Sequence, residues 1–355
     1  MAYNMRYKNK VDMKITNLNK YFNLLMILSI SLVSCNQDRN ANKLSCEKKE
    51  MGYANAPGKY FLKSNSDEIK IPFELYAGNK PMITGIINGK NVKFLIDNGK
   101  LFDEIWFYNG EVDSIGLFFK SQDADSLTGI GQNDASLIFE GNQINIDFEQ
   151  IQFNNQPTLI SPSNAGYASY FPGINGQVSS MLFKHFIVEF DFENNIITLI
   201  KPEKFKKSEI QNAVKMHKRD NGSYCIPFEL LTKTGNTYKV LLDIDLGTVF
   251  PLYLISNNKN NLPIPQKAKK QFLGLGASGE IYGYNDTLKE LRFGYYVMEN
   301  YPVLIVKAEY NADTSIVESG TFGIQLMRQF DVTFDYFNEI IYFKPNKNFK
   351  ESKII

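Results

Sequence analysis

The chain has 355 residues, 43% of them hydrophobic, and a formal net charge of +1. That length suits two domains of ordinary size, and the near-neutral balance excludes nucleic acid as the main partner, because no basic field is present to displace counterions. Its 2 histidines and 3 cysteines are scattered, so no cluster has zinc-site spacing, no Gly-rich phosphate loop appears, and no metal or cofactor is expected.

Residues 1–35 read as a targeting segment rather than as part of the fold. Lys14 and Lys20 flank the start of an apolar run over 22–33, which is too short to cross a bilayer as a helix. Leu32-Val33-Ser34-Cys35 then matches a bacterial lipobox, in which a small residue precedes the cysteine that is lipidated and becomes the mature N-terminus. A start at Met13 gives a signal of typical length. The expectation is a signal peptide over 1–35, lipidation at Cys35, and a membrane anchor in the cell envelope, at the outer membrane in a Gram-negative cell. Residues 36–69 are polar and read as a tether, broken by Pro57-Gly58. Cys46 and Cys225 remain, either free or paired.

From residue 70 onward strand signals dominate. Segments 81–87, 92–96, 136–139, 144–148 and 157–160 are rich in β-branched and aromatic residues and are separated by Gly or Asn turns. Asn88-Gly89 between two apolar runs is a hairpin signal. A second hairpin is expected over 187–200 around Asn194-Asn195, and a third over 332–343. Helical patterns are short: 178–185, 204–213 and 324–330. The expected architecture is mostly β, in two lobes over 70–205 and 222–348, joined by a polar linker over 206–221 and followed by a tail over 349–355.

The lobes read as copies, and a fixed order of matches supports this. Ile71-Pro72-Phe73-Glu74-Leu75 recurs as Ile226-Pro227-Phe228-Glu229-Leu230. Gly129 and Gly131 align with Gly274 and Gly276, and Asn155-Gln156-Pro157 aligns with Asn300-Tyr301-Pro302. Gly173-Ile174-Asn175-Gly176 aligns with Gly320-Thr321-Phe322-Gly323. Phe190-Asp191 with Asn194 aligns with Phe334-Asp335 with Asn338.

Each copy also carries an aspartate at the end of an apolar run, followed one residue later by glycine: Phe94-Leu95-Ile96-Asp97-Asn98-Gly99 and Leu241-Leu242-Asp243-Ile244-Asp245-Leu246-Gly247. A carboxylate at the end of a buried strand is costly unless it has a partner, and two such turns in duplicated halves point to one shared site. On these residues the chain resembles the aspartic peptidase superfamily of retropepsins and pepsins, in a divergent bacterial lipoprotein form, over residues 70 to 348.

The resemblance implies two tandem retropepsin-like β-barrel lobes forming a pepsin-like bilobal body, and a catalytic dyad of Asp97 and Asp245. It implies support from Asn98, Gly99, Gly247 and Thr248, hairpin flaps near Gly129/Gly131 and Gly274/Gly276, and an apolar-apolar-Gly segment passing beneath each turn. A water activated between the two carboxyls would hydrolyse a peptide bond of a peptide or protein substrate, with the protein acting as a monomer. The triplets depart from the family's Asp-Thr/Ser-Gly at Asn98 and Leu246, and Lys100 replaces the small residue that usually follows the glycine. Leucine has neither donor nor acceptor for the cross-lobe hydrogen bond. The alternative is therefore a degenerate homologue that binds an extracytoplasmic peptide or glycan without cutting it. A purely structural lipoprotein is the third reading. Asp243 lies on the same strand face as Asp245 and is expected at a solvated edge. Trp106, Tyr282, Tyr284, Ser278, His185 and His217 carry no defined role.

Overall fold

A computed structural model describes residues 58–63, 65–99, 101–108, 112–127, 136–161, 170–206, 212–220, 222–257, 262–265, 268–276, 279–307 and 319–349. The signal segment with Cys35, Cys46, Lys100, Gly129, Gly131, Ser278 and the final residues lie outside them. All described residues belong to one compact unit, which is mostly β.

The first half contains β1 (Lys59–Leu62), β2 (Glu68–Pro72), β3 (Glu74–Tyr76), β4 (Lys80–Ile87), β5 (Lys90–Ile96), β6 (Ile105–Phe107), β7 (Phe119–Leu127), β8 (Ser136–Phe148), β9 (Ile151–Ile160), β10 (Gly176–Val178), the one-turn helix α1 (Ser180–Phe183), β11 (Ile187–Asp191) and β12 (Ile196–Ile200). The second half contains β13 (Ala213–Lys215), β14 (His217–Lys218), β15 (Tyr224–Leu231), β16 (Thr237–Ile244), β17 (Leu252–Ser256), β18 (Gln271–Gly276), β19 (Gly279–Phe293), β20 (Tyr296–Lys307), β21 (Gly320–Phe322), α2 (Ile324–Met327), β22 (Phe330–Asp335) and β23 (Ile340–Pro345).

In each half six strands close on themselves. The first ring runs β9-β6-β10-β5-β4-β8 and is shut by the β8–β9 pairing. The second runs β15-β16-β21-β17-β20-β19 and is shut by β15–β19. A third sheet, in the order β13-β23-β22-β11-β12-β2, takes strands from both halves and joins them through β11 and β22. Strand burial alternates where one face is covered, as in β2, and becomes continuous where a strand enters the interior, as in the final Phe94, Leu95 and Ile96 of β5. The main core runs without a break through both rings and the shared sheet.

Pairing gives the duplication a register independent of letter matches. β5 and β16 each run antiparallel to the preceding strand and parallel to the short β10 and β21. Asn155 and Asn300 both adopt the left-handed conformation, with φ 49° and 51°, and so do Asn195 and Glu339 at the tips of the β11–β12 and β22–β23 hairpins. Asp191 and Asp335 fix those tips by accepting bonds from Asn194 and Asn338 at 2.7 Å, so the Phe-Asp repeat is a turn device.

Two alignments need correction. Ile71 pairs with Ile197 in the shared sheet, whereas Ile226 pairs with Leu242 in the second ring. The five-letter repeat therefore falls on non-equivalent strands. The glycine segments match three residues later than their letters suggest. Gly176 pairs with Phe94 and Phe107, and Gly320 stands against Leu254 in the same way, so Gly176-Gln177-Val178-Ser179 corresponds to Gly320-Thr321-Phe322-Gly323. A side chain on Gly176 would strike the Trp106 carbonyl, and one on Gly320 the Tyr253 carbonyl. Close backbone passage explains both glycines.

Three segment boundaries also differ. The end of the expected tether forms β1 and pairs with β9. The expected linker supplies β13 at one edge of the shared sheet, and β14. Of the helix expected over 204–213, residues 207–211 lie outside the described residues, and the described ends are a 3-10 turn at Pro202–Lys204 and the start of β13. A charged, polar stretch reads as a solvated helix, but the open edge of β23 captures Val214, which is buried.

Candidate active site

Asp97 and Asp245 follow directly on β5 and β16, and each is pinned at its backbone by the strand beneath it. The Asp97 N–H donates to the Val178 carbonyl at 3.0 Å, and the Asp245 N–H donates to the Phe322 carbonyl at 3.2 Å. Each carboxylate then accepts the N–H of the glycine two residues on, Gly99 at 3.0 Å and Gly247 at 2.7 Å. These local bonds shape the two turns alike.

The turns meet. A Cβ placed on Gly99 would lie 2.8 Å from Asp245 Cγ, and one on Gly247 would lie 2.5 Å from Asp97 Cγ. Each glycine is thus the seat of the opposite carboxylate, and any side chain there would push the pair apart. The same Cβ on Gly247 would lie 3.0 Å from Asp245 Oδ1, so the two carboxyls border one point. Burial, and then the negative charge of Asp245, push Asp97 up to about 7, against the opposing pull of Lys80. Two carboxyls this close cannot both ionise easily.

The support around the pair is unequal. Asn98 is buried and uses both ends of its amide: Oδ1 accepts the Leu246 N–H at 2.8 Å, and Nδ2 donates to the Tyr336 hydroxyl at 2.9 Å. It therefore links the first turn to the second. Leu246 is fully buried and contributes packing and its backbone N–H. Thr248 Oγ1 donates to Asp245 Oδ2 at 2.5 Å. Gln177 Nε2 approaches Asp97 Oδ2 at 3.5 Å, a weak contact at the limit of hydrogen bonding.

Lys80 is the residue that sequence reasoning missed. It opens β4, and its ammonium donates to the carbonyl of Gly247 across the site. The same ammonium stands 5.1 Å from the centre of the Phe171 ring. The stem keeps some surface while the charged end is enclosed, and burial holds its proton affinity below that of an ordinary lysine against the opposing pull of Asp97 and then Asp245. The signal was present. β4 and β5 pair as Ile87 with Lys90 across the Asn88-Gly89 turn and as Met82 with Leu95. Counting on by two on each strand sets Lys80 opposite Asp97, on the same face of the hairpin. The corresponding count in the second half sets Ser223 opposite Asp245.

Asp243 is not at a solvated edge. It is buried, accepts Arg219 Nε at 2.5 Å and Ser223 Oγ at 3.3 Å, and is neutralised there as a structural ion pair. Trp106 lies in a small cluster with Met82, Leu95, Tyr108 and Phe171, and its indole N–H donates to Ser161 at 2.8 Å. Tyr282 donates to Glu280, and His185 meets the Gly58 carbonyl. Cys225 is buried and free. Among the described residues no group of His, Cys, Asp and Glu is arranged to hold a metal ion, and no helix is long and apolar enough to cross a membrane. Comparison with protein-family models finds no match, and comparison with curated proteins finds none.

Proposed function

We propose that the protein is an aspartic-type endopeptidase of retropepsin-like, bilobal design, anchored to the cell envelope through Cys35 and acting on extracytoplasmic peptide or protein substrates. The observation that carries this reading is the reciprocal seating of the two carboxylates against each other's glycines. Two carboxyls held so close share one proton. The ionised member takes a proton from a water between them as that water attacks the scissile carbonyl. The protonated member donates to the carbonyl oxygen, and the pair then returns a proton to the leaving amine. Gly99, Gly247 and Thr248 fix the carboxylate planes, and Asn98 holds the turns in register.

A second reading is a binding module that retains the paired turns and does not cut. Leu246 and the buried ammonium of Lys80 favour it, because one removes a cross-turn donor and the other supplies an anion-binding group. Incubation of the full-length chain, held in detergent, with an unbiased peptide library from acidic to neutral pH separates the two. Cleavage that falls by about 10² to 10⁴ in both Asp97→Asn and Asp245→Asn supports the peptidase. Retention of peptides without cleavage at any pH supports the binding module.

A further inference from the structure

We infer that Lys80 is the fixed counter-charge of the aspartate pair, a positioning residue whose ammonium holds Asp97 and Asp245 in their singly ionised state and ties the second turn to the first half of the chain. The inference rests on the peptidase reading for its link to catalysis, and on the geometry of the turns alone for the charge state.

The geometry has two parts. Lys80 leaves the first ring at the start of β4 and bonds the carbonyl of Gly247, the residue that seats Asp97. Its single bond therefore sets the height of the second turn against the first carboxylate. Asn98 holds the neighbouring Leu246 N–H. Together they grip the second turn at two successive residues from the first half, which is where a hydroxyl at position 246 would have been expected to act.

The second part is charge. Two carboxyls sharing one proton carry one negative charge, and an ammonium at Lys80 carries one positive charge, so with Lys80 protonated these three groups are neutral as a whole. An enclosed region of low dielectric disfavours any other total. Adding a second proton leaves Lys80 unbalanced, and removing the last proton leaves a net negative charge. The singly ionised pair is the form that peptide hydrolysis requires.

Among the described residues, the other titratable groups that face this centre do not supply a balancing charge. Tyr336, which follows β22, is a neutral hydroxyl that accepts from Asn98, and Tyr224 on β15 packs against the Tyr336 ring. Asp243 is matched by Arg219, and Phe171 offers the ammonium only the face of a ring. Thr248 and Gln177 are neutral donors.

The test compares the full-length wild type with Lys80→Met and Lys80→Arg by two readouts. One is the pH profile of kcat/KM on a peptide cleaved by the wild type. The other is the titration of the two aspartate carboxyls by carbon NMR with side-chain labelling, which needs no turnover. In Lys80→Met both limbs of the profile and both steps of the titration are expected to move to higher pH by about one unit or more, the size of shift that an adjacent opposite charge produces. Lys80→Arg is expected to restore the wild-type positions. A Lys80→Met protein that is folded by circular dichroism and titrates as the wild type overturns the inference. If the wild type cleaves nothing, the endopeptidase reading fails, and the carboxyl titration alone decides the role of Lys80. If Lys80→Met does not fold, Lys80→Gln is measured instead, and the same outcomes apply.

Discussion

The two rings match strand for strand, while the two aspartate turns they carry do not match residue for residue. In the first turn Asn98 reaches outward with both ends of its side chain, to Leu246 and to Tyr336. In the second turn Leu246 lends only its backbone and its bulk, and Thr248 bonds its own Asp245. The first turn faces an ammonium at Lys80, and the matching place in the second half is Ser223, which turns to Asp243 instead. The lesson is that pairing of the strands fixes where the carboxylates stand. A few residues at the strand ends fix how they are charged and held, and those residues differ between the halves.

That contrast can be broken at the glycines first. Gly247→Ala places a methyl group against the Asp97 carboxyl, and Gly99→Ala does the same to Asp245. For the proposed peptidase activity both are expected to lower kcat/KM by about 10² or more, since a displacement near 1 Å at reacting groups costs that much. The closer approach at Gly247 makes it the worse of the two in both activity and melting temperature. Equal losses would show that the turns are less asymmetric than the contacts suggest.

Asn98→Ala tests the outward-reaching side chain. It leaves the Leu246 N–H and the Tyr336 hydroxyl without their partner, at a cost of about 1–3 kcal/mol for each buried group that stays unsatisfied. Urea unfolding at fixed pH measures this. Asn98→Thr keeps an acceptor and is expected to recover part of the loss. Thr248→Val removes one charge-assisted bond at nearly constant volume, and a fall in kcat of roughly tenfold is expected from a bond of that kind. No change in kcat would mean that Gly247 alone orients Asp245.

The smallest effect concerns stability against pH. Asp97 is raised from 3.8 in the ordinary range to about 7 in the folded chain. Its contribution to stability is therefore complete below about pH 4 and is lost as pH rises through about 7, the reverse of a salt-bridged carboxylate. Chemical denaturation along a pH series should show this slope in the wild type and a flatter one in Asp97→Asn. Activity should decline over the same upper range.

Much of this was legible in the chain because the signals are local. An apolar run ending in Asp-x-Gly marks the end of a buried strand wherever it occurs, and Asn155, Asn300, Asp191 and Asp335 mark turns that any pairing must respect. The errors came where locality fails. The repeated Ile-Pro-Phe-Glu-Leu is a strand-like segment in both halves, but which sheet a strand joins depends on its neighbours in space. Ala213–Lys215 has no strong local reason to extend; the edge of β23 supplies one. Asp243 reads as solvated until Arg219, 24 positions earlier, is folded over it. Lys80 was within reach of counting, because the Asn88-Gly89 turn fixes the register that puts it opposite Asp97.

The joining of both halves through one shared sheet has a consequence in stoichiometry. Were the site assembled from two identical chains, every substitution at its edge would arrive twice. A lysine at the position of Lys80 would then bring two ammonium groups to two carboxylates, and an asparagine at the position of Asn98 would face a second asparagine in place of Leu246. Within one chain each is present once. Lys80, Asn98 and Leu246 thus act on one side of the pair only, an asymmetry that a pair of identical halves could not present.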